Sequence, residues 1–452
     1  MYKLRAMRAP VVLVMAALAG CATASPPAAQ LPAQLSVASR SAGDTAVSIP
    51  AGVSLADGLS PDEAVAIALW NNADFRLQLA DLGFARADLL EAGLLRNPVL
   101  SLLFPVGPKQ FEGTLRLPIE VLWERPRRVA AARLAFERAA KGLEQYGLNL
   151  VADVEIAHAD LALAQARADL AATAATEFEA IRAIADSRLR AGDISELEAQ
   201  TARVDAARAR QEAERATYDV AVRANALRAR LGLAMDPAGA ALTVPQSRAG
   251  TLPADDRCGD RPGLLERLTR DALASRPEVR AAEIAIEAAG ARLGWEKARV
   301  ATLTAVLDAN GAGREGFEAG PGLDVALPVF DRNQGNRARA AAEMERASLA
   351  YVAVRQRVTT ELVEALTLAA HARSARTAWQ QAVVAPLEDQ VRLARRAFEA
   401  GDVSSLFVLE TARRLTDARL RARDIDADLA RATARVERAV GRPCAARGQN
   451  ER

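Results

Sequence analysis

Residues 191–197 read Ala-Gly-Asp-Ile-Ser-Glu-Leu, and 209 residues later residues 400–406 read Ala-Gly-Asp-Val-Ser-Ser-Leu. Leu117-Pro118 recurs in the same way as Leu327-Pro328, at an offset of 210. Short matches that keep one order and a nearly constant offset indicate an internal duplication. We therefore interpret the chain as two copies of one structural unit, spanning about 59–232 and 263–441.

Each copy is predicted to contain the same elements in the same order. A first helix (about 60–95, then 263–298) precedes two strands, which we place at about 99–106 and 111–118 in the first copy and at 302–309 and 322–329 in the second. A very long helix follows (about 127–190, then 335–399), and a further long helix (194–231, then 404–440) comes after the Ala-Gly-Asp turn. A linker, 233–262, joins the copies, and 442–452 is a tail.

The long helices carry an apolar stripe of the coiled-coil type. In the first of them, Phe136, Leu143 and Leu150 lie seven residues apart on one face, and Arg, Glu and Asp are dense between them. A helix over 127–190 would be about 96 Å long. This length indicates a structure that crosses a wide aqueous compartment. In each copy the two long helices would pack as an antiparallel hairpin, so the predicted fold class is mainly α.

The predicted strands alternate between apolar and polar residues. Phe111, Leu115 and Leu117 would point to one side and Glu112, Thr114 and Arg116 to the other, which is typical of a membrane β-barrel with a wet lumen. Two aromatic girdles are expected at the strand ends, formed by Phe104, Phe111 and Phe317 and by Trp123, Trp295 and Phe330. A soluble hairpin with one buried face is the alternative. Since four strands cannot close around a lumen, the barrel reading requires an oligomer.

The N-terminus has the order of a bacterial lipoprotein signal. Lys3, Arg5 and Arg8 precede a short apolar run, and Leu18-Ala19-Gly20 stand before Cys21. We expect residues 1–20 to be removed and the Cys21 thiol to carry a covalently bound diacylglycerol. No other cofactor is expected. Residues 21–58 would be a flexible tether rich in Ala, Ser and Pro.

Composition excludes several functions. Without residues 1–20 the chain has 56 Lys and Arg against 57 Asp and Glu, so a nucleic-acid partner is not expected. His158 and His371 are the only histidines and lack metal-ligand spacing, which favours packed or solvated helix residues. No phosphate loop, nucleophile elbow or convergent acid–base set is present, so we do not expect an enzyme.

With these features the chain resembles the outer-membrane efflux protein family, the TolC-like channels. The resemblance rests on Cys21, on Leu95-Arg96-Asn97-Pro98 before the first strand, on the Leu327-Pro328-Val329-Phe330 segment and on the two Ala-Gly-Asp-x-Ser turns. It covers about 59–441. Residues 327–335 look most like the cobalt–zinc–cadmium, heavy-metal branch.

The resemblance implies a homotrimer with a twelve-stranded barrel in outer-membrane lipid and a helical tunnel through the periplasm. Its partners would be a periplasmic membrane-fusion adaptor and an inner-membrane pump of the resistance-nodulation-division type. The adaptor would meet the tips at Gly192, Ser195, Gly401 and Ser404, although these residues are equally compatible with plain helix-hairpin turns. Glu196, Glu198 and Glu410 are candidates for a gate ring, or alternatively belong to solvated helix faces or interact with helix dipoles.

Besides the lipidated Cys21, two cysteines remain after processing, Cys258 in the linker and Cys444 after the second copy. A disulfide between them is a hypothesis, with two unpaired thiols as the alternative. The main functional hypothesis is a passive outer-membrane exit duct for metal cations. Drug efflux or protein secretion through the same channel is the second hypothesis. A periplasmic coiled-coil lipoprotein acting as scaffold or adaptor is the third, and it predicts no membrane strands.

Overall fold

The computed structural model describes residues 49–50, 53, 58–106, 111–233, 242–244, 263–299, 302–311, 316–400 and 402–441. The first repeat contains α1 (Pro61–Asn71), α2 (Ala73–Gly93), β1 (Val99–Leu103), β2 (Phe111–Pro118), α3 (Val121–Ala191) and α4 (Glu196–Leu231). The second contains α5 (Leu264–Ser275), α6 (Pro277–Ala298), β3 (Thr302–Gly311), β4 (Phe317–Ala326), α7 (Gln334–Trp379), a π-helical turn (Gln380–Val384), α8 (Ala385–Ala400) and α9 (Ser405–Val440).

The prediction of one continuous first helix per repeat is wrong, because both helices are broken. Asn72 ends α1 and caps α2 by accepting a hydrogen bond from the Phe75 amide at 2.9 Å. In the second repeat the break is at Arg276, where Pro277 disfavours a helical backbone at the preceding residue. The two breaks occupy corresponding positions in the repeats.

The fourth strand also differs from the prediction. It begins at Phe317 instead of about 322 and ends at Ala326 instead of 329. The Gly320-Pro321-Gly322 segment has the composition of a turn, but it pairs with β3, with Pro321 opposite Leu307. Within this chain β4 is an edge strand, the position in a sheet where proline is tolerated. The first strand is shorter than predicted and ends at Leu103, and the third is longer and ends at Gly311.

The four strands form one antiparallel sheet in the order β1-β2-β3-β4. The central pair joins the two repeats, with Phe111 opposite Gly311 and Pro118 opposite Thr304. Each strand is linked at the same end of the sheet to a helix, so that α2, α3, α6 and α7 pack side by side in the order of the strands. Farther from the sheet, α3 pairs with α4, and α9 packs against both α3 and the helices α7 and α8.

Each repeat has its own apolar core along its long helices. The first core is centred on Phe75, Leu150, Leu161, Leu227 and Leu231, and the second on Leu268, Val358, Leu362, Val436 and Val440. The predicted stripe of α3 is confirmed, since Phe136, Leu143, Leu150, Val154 and Leu161 are all buried. The fold is therefore mainly α, with long antiparallel hairpins and a small sheet.

Candidate functional site

One face of the sheet is apolar along its whole described length. Residues that lie directly opposite each other in an antiparallel pair point to the same side, so the pairing register assigns every strand residue to a face. This face carries only aliphatic, aromatic, proline and glycine residues: Leu100, Leu102, Phe111, Gly113, Leu115, Leu117, Leu303, Ala305, Leu307, Ala309, Gly311, Phe317, Ala319, Pro321, Leu323 and Val325. No described element covers it well, and Leu307, Phe317 and Leu323 are about half exposed.

The other face is polar and mainly acidic. It carries four carboxylates and one arginine: Glu112, Asp308, Glu318, Asp324 and Arg116. The Thr114 hydroxyl donates to Asp308 Oδ1 at 2.9 Å, and Arg116 lies 3.8 Å from Asp324. The alternation predicted for 111–117 therefore continues through much of β3 and β4, whereas β1 places Val99 and Leu103 on the polar face. The polar face has a net charge of −3 per chain.

The aromatic residues lie at the two predicted ends of the sheet. Phe104, Phe111 and Phe317 are at the loop end, where the Phe104 and Phe111 rings are 5.8 Å apart. Trp123 and Trp295 lie in helix turns next to the opposite end, and Phe330 follows β4 and is 92% exposed.

At the first hairpin turn both helix ends are capped. Gly192 adopts φ 80°, the left-handed conformation that ends α3, and its amide donates to the carbonyls of Arg188 and Leu189. Ser195 then starts α4: its hydroxyl accepts from the Glu198 amide, and the Glu198 carboxylate accepts from the Ser195 amide at 2.9 Å. The sequence interpretation of this segment as a tight helix hairpin is thus matched by the geometry.

The three candidate gate carboxylates each have a partner within the chain. Glu196 lies 3.0 Å from Arg203, and Glu410 lies 3.0 Å from Arg414. The hydrogen bonds from Ser195 to Glu198 lower the pKa of that carboxyl. In this single chain, Glu198 serves as a helix cap and the other two as members of exposed ion pairs.

The second turn is described only in part. Ser404 caps α9 through its hydroxyl, which accepts from the Phe407 amide. Gly401 lies outside the described residues, as do Cys21, Cys258 and Cys444. The lipid site and the disulfide hypothesis therefore stay predictions.

The sequence interpretation missed a set of ion pairs that joins the hairpins of the two repeats. Arg413 on α9 lies 2.6 Å from Asp205 on α4, and Arg167 and Asp160 on α3 pair with Asp424 and Arg431 on α9 at 2.6 and 2.7 Å. Asp205 is buried, and its Oδ2 atom has no hydrogen-bond partner. Since the paired residues are more than 200 positions apart, no local pattern could have revealed them.

An apolar cavity of about 210 Å³ lies between the ends of the two hairpins. Its lining includes Ile184 and Leu197 from the first hairpin and Leu406 and Leu409 from the second. Leu197 is 77% and Leu406 56% exposed, so apolar surface extends from the cavity to the tips.

His158 has a packing role. Its Nε2–H donates to the Leu59 carbonyl at 2.7 Å, which ties the segment before α1 to the middle of α3. Burial lowers the pKa of His158 and the hydrogen bond to Leu59 raises it, with burial the larger effect. Of the two predicted alternatives, packed or solvated, His158 is packed and His371 is exposed to solvent. In the described residues, no group of three or more potential metal ligands comes together.

Among the described helices, none is both long enough and apolar enough to cross a membrane.

A family model described as outer membrane efflux protein matches residues 99–233 and 268–442. The chain belongs to the outer membrane efflux protein family. The two matched segments contain the four strands and both long hairpins, so the family signature covers the elements that form the two-faced sheet and the tips. The resemblance to this family inferred from the sequence is confirmed.

Similar proteins include two types of efflux component. The cobalt-zinc-cadmium resistance protein CzcC of Cupriavidus metallidurans is 28% identical over 388 residues, which cover 84% of this chain and 89% of CzcC. The probable efflux pump outer membrane protein SepC of Pseudomonas putida is 30% identical over 305 residues, 61% of each chain.

Solved structures show the same fold. CusC, whose crystal structures were described in terms of transmembrane channel formation, aligns with a TM-score of 0.69 at 20% identity, over 93% of this chain and 100% of CusC. The CmeC outer membrane channel of Campylobacter jejuni aligns with a TM-score of 0.70 at 17% identity, over 85% and 86% of the two chains. The fold is that of TolC-like outer-membrane efflux channels.

Proposed function

We propose that the protein is a passive, trimeric exit duct for heavy-metal cations in the outer membrane of a Gram-negative bacterium. The observation that carries the proposal is the register of the sheet, which separates a wholly apolar face from an acidic one. Strands of ten residues, such as β3 and β4, span about 33 Å and suit a membrane barrel. The apolar face would contact lipid, and the acidic face would line the lumen.

Trimer formation is supported by the open edges of the chain. In the described residues β1 and β4 each pair on one side only, and unpaired strand edges are not viable in lipid. The helices next to these edges expose apolar side chains, including Leu77 and Phe84 on α2 and Leu349 and Val352 on α7. A second copy would cover both the strand edge and the helix edge, and three copies would close a ring of twelve strands.

Metal cations are the cargo that the charges favour. The acidic sheet face would give nine net negative charges in a trimer, a field that concentrates cations in a lumen. CzcC, which aligns with most of the chain, is named for cobalt, zinc and cadmium resistance. SepC is named only as a probable efflux pump component, without a cargo, and drug efflux through the same channel is the second candidate.

The remaining roles follow from the same assignment. Cys21 would carry the lipid anchor, and the tips around Gly192, Ser195, Gly401 and Ser404 would meet a periplasmic adaptor that connects to a proton-driven inner-membrane pump. The exposed Leu197 and Leu406 beside the tips offer apolar surface for such a contact. Glu196, Glu198 and Glu410 are gate candidates only if the ring of three chains turns them inward. The chain itself would perform no chemistry, since the pump supplies the energy.

The test uses the full chain purified in detergent. We expect a trimer in unheated gel samples that dissociates on boiling, and discrete conductance steps when the protein is added to planar lipid bilayers. A monomer that forms no pores would contradict the duct and favour a periplasmic coiled-coil scaffold.

A further inference from the structure

Positive charge is concentrated where the sheet joins the helices. Four segments form this end of the sheet, and together with the adjoining helix turns we call them the junction band: 94–98, 119–128, 295–299 and 327–333. Within the band Glu120, Glu124 and Glu296 are buried, at most 6% exposed, which leaves Asp331 as its one exposed carboxylate. The cationic side chains are instead exposed, at Arg96, Arg125, Arg127, Lys297, Arg299 and Arg332. The surface of the junction band is therefore strongly positive.

Three arginines of the band are held by backbone carbonyls and not by carboxylates. Arg125 donates to the Gly93 carbonyl at 2.7 Å, Arg127 to the Trp123 carbonyl at 3.0 Å, and Arg332 to the Pro328 carbonyl at 3.3 Å. None of the three forms an ion pair with a described residue. Since a guanidinium has five N–H donors, each keeps donors for a further acceptor. Their positions are fixed while their charges stay uncompensated.

The arginines of the long helices differ in this respect. Arg182 lies 2.6 Å from both Glu179 and Asp186, and Arg203 lies within 3.0 Å of Asp186 and Glu196. Carboxylates of the chain itself thus neutralise these guanidiniums, whereas the arginines of the junction band remain available to an external anion.

Exposed apolar side chains lie among these cations. Leu122 is 73%, Leu327 76% and Phe330 92% exposed, and they follow directly on the apolar face of the sheet. Apolar side chains beside long cationic ones are typical of a membrane–water interface, where the stems contact acyl chains and the charged groups reach the headgroups. At the loop end of the sheet the described charged residues are Glu112 and Glu318, so the two ends carry opposite charge.

We propose that the junction band is a binding surface for the phosphate groups of anionic glycerophospholipids such as phosphatidylglycerol. The planar donor pairs of Arg125, Arg127 and Arg332 match two oxygens of a phosphate, and a net negative headgroup brings no cation of its own to compete. The exposed leucines and Phe330 contact the acyl chains of the same lipids. That these lipids belong to the periplasmic leaflet rests on the proposed function, because it requires the sheet to lie in the outer membrane.

Native mass spectrometry of the full chain in detergent tests the surface, with phosphatidylglycerol or phosphatidylcholine added at equal concentration. We expect at least about fivefold more phosphatidylglycerol to be retained, because the choline cation offsets the phosphate charge. Arg125→Gln, Arg127→Gln and Arg332→Gln combined should lower its retention about tenfold, since each glutamine keeps a donor for its carbonyl but loses the charge. Equal retention of the two lipids, or displacement of the lipid by inorganic phosphate at the same concentration, would overturn the proposal.

A second triple variant is the matched control. Arg138→Gln, Arg190→Gln and Arg208→Gln remove the same charge from exposed arginines of α3 and α4 outside the band, and Arg190 also donates to a backbone carbonyl, that of Asp186. Its lipid retention should equal that of the unaltered chain. The same loss in both triple variants would mean that net charge alone attracts the lipid, and would overturn the surface.

Two further measurements separate this surface from other effects. Arg332→Gln alone lies in the segment between β4 and α7, outside both, and should lower phosphatidylglycerol retention about twofold with an unchanged unfolding midpoint. Lipid retention is measured whether or not the protein conducts ions. Pores in bilayers without a preference for phosphatidylglycerol would contradict only the lipid surface, and the preference without pores would contradict only the duct.

Discussion

At the scale of single residues, the described glycines that end α3, α4 and α9 differ in their surroundings. Gly192 ends α3 at an open turn, where a Cβ atom would meet nothing within 4 Å. Gly232 ends α4 against the helix break of its repeat, where a Cβ atom would lie 2.5 Å from the Asn71 carbonyl oxygen. Gly441 also ends its helix against the break of its repeat, but less tightly, since a Cβ atom there would lie 3.1 Å from the Arg276 Cγ atom.

Replacing Gly232 therefore tests this packing. Both Gly232→Ala and Gly192→Ala place a side chain at positive φ, which costs about 1–2 kcal/mol. Only Gly232→Ala adds a clash with backbone, so we expect a total loss of about 2–5 kcal/mol, measured as a lowered unfolding midpoint in detergent. Equal losses for the two variants would contradict the close approach.

A second residue-scale prediction concerns pH. The pKa of His158 is lowered by burial in the folded chain, so below its ordinary pKa of 6.5 the unfolded chain binds the proton more readily and folding stability falls. We expect the unfolding midpoint to drop between pH 7 and pH 5. His158→Gln keeps a donor for the Leu59 carbonyl and should flatten this dependence.

The exposed His371 supplies the control for the pH experiment, since His371→Gln should leave the pH profile unchanged. A wild-type midpoint that is flat from pH 7 to pH 5, or a profile that His158→Gln does not alter, would count against the packed neutral imidazole.

At the scale of elements, the two hairpins are joined by ion pairs as well as by apolar packing. The pair between Asp205 on α4 and Arg413 on α9 differs from the surface pairs because the aspartate is buried and one of its oxygens has no partner. Removing the arginine would leave a buried carboxylate without a counter-ion.

Arg413→Ala is expected to lower the free energy of unfolding by about 1–3 kcal/mol. Arg414→Ala is its neighbour on the same helix and breaks only the exposed pair with Glu410, so its cost should stay below about 0.5 kcal/mol. Thermal unfolding measures both. A double-mutant cycle with Asp205→Ala should show coupling for Arg413, and its absence would mean that the pair does not hold the hairpins together.

At the scale of the whole molecule, the polar sheet face would line the lumen of the proposed trimer, so that its charge would set the ion preference of the pore. Replacing Glu112 and Glu318 by Gln removes two of its four carboxylates, and we expect the reversal potential of the pore in a salt gradient to shift toward weaker cation preference. Arg116→Gln removes the single arginine of that face and should shift the potential in the opposite direction. Identical shifts, or none, would indicate that this face does not line the conducting path.

Much of the architecture could be predicted from short-range sequence patterns. The heptad stripe of α3, the Ala-Gly-Asp turns and the alternation over 111–117 are all short-range features, because a helix face and a strand face repeat every few residues. They sufficed to predict the hairpins, the strand faces and the family. Local propensity failed where another part of the chain decides the conformation, as at Asn72, whose side chain also donates to the Arg230 carbonyl of α4.

The sequence by itself thus determined the duplicated helical frame, the turn chemistry and the two-faced strands. Only the tertiary structure decided the extent of β4, which depends on pairing with β3, the ion pairs between hairpins, and the π turn in the second hairpin. The physical reason is range: turn and periodicity signals act over a few residues, whereas strand pairing and ion pairs between repeats join groups up to 271 positions apart, which meet only when the two repeats pack together.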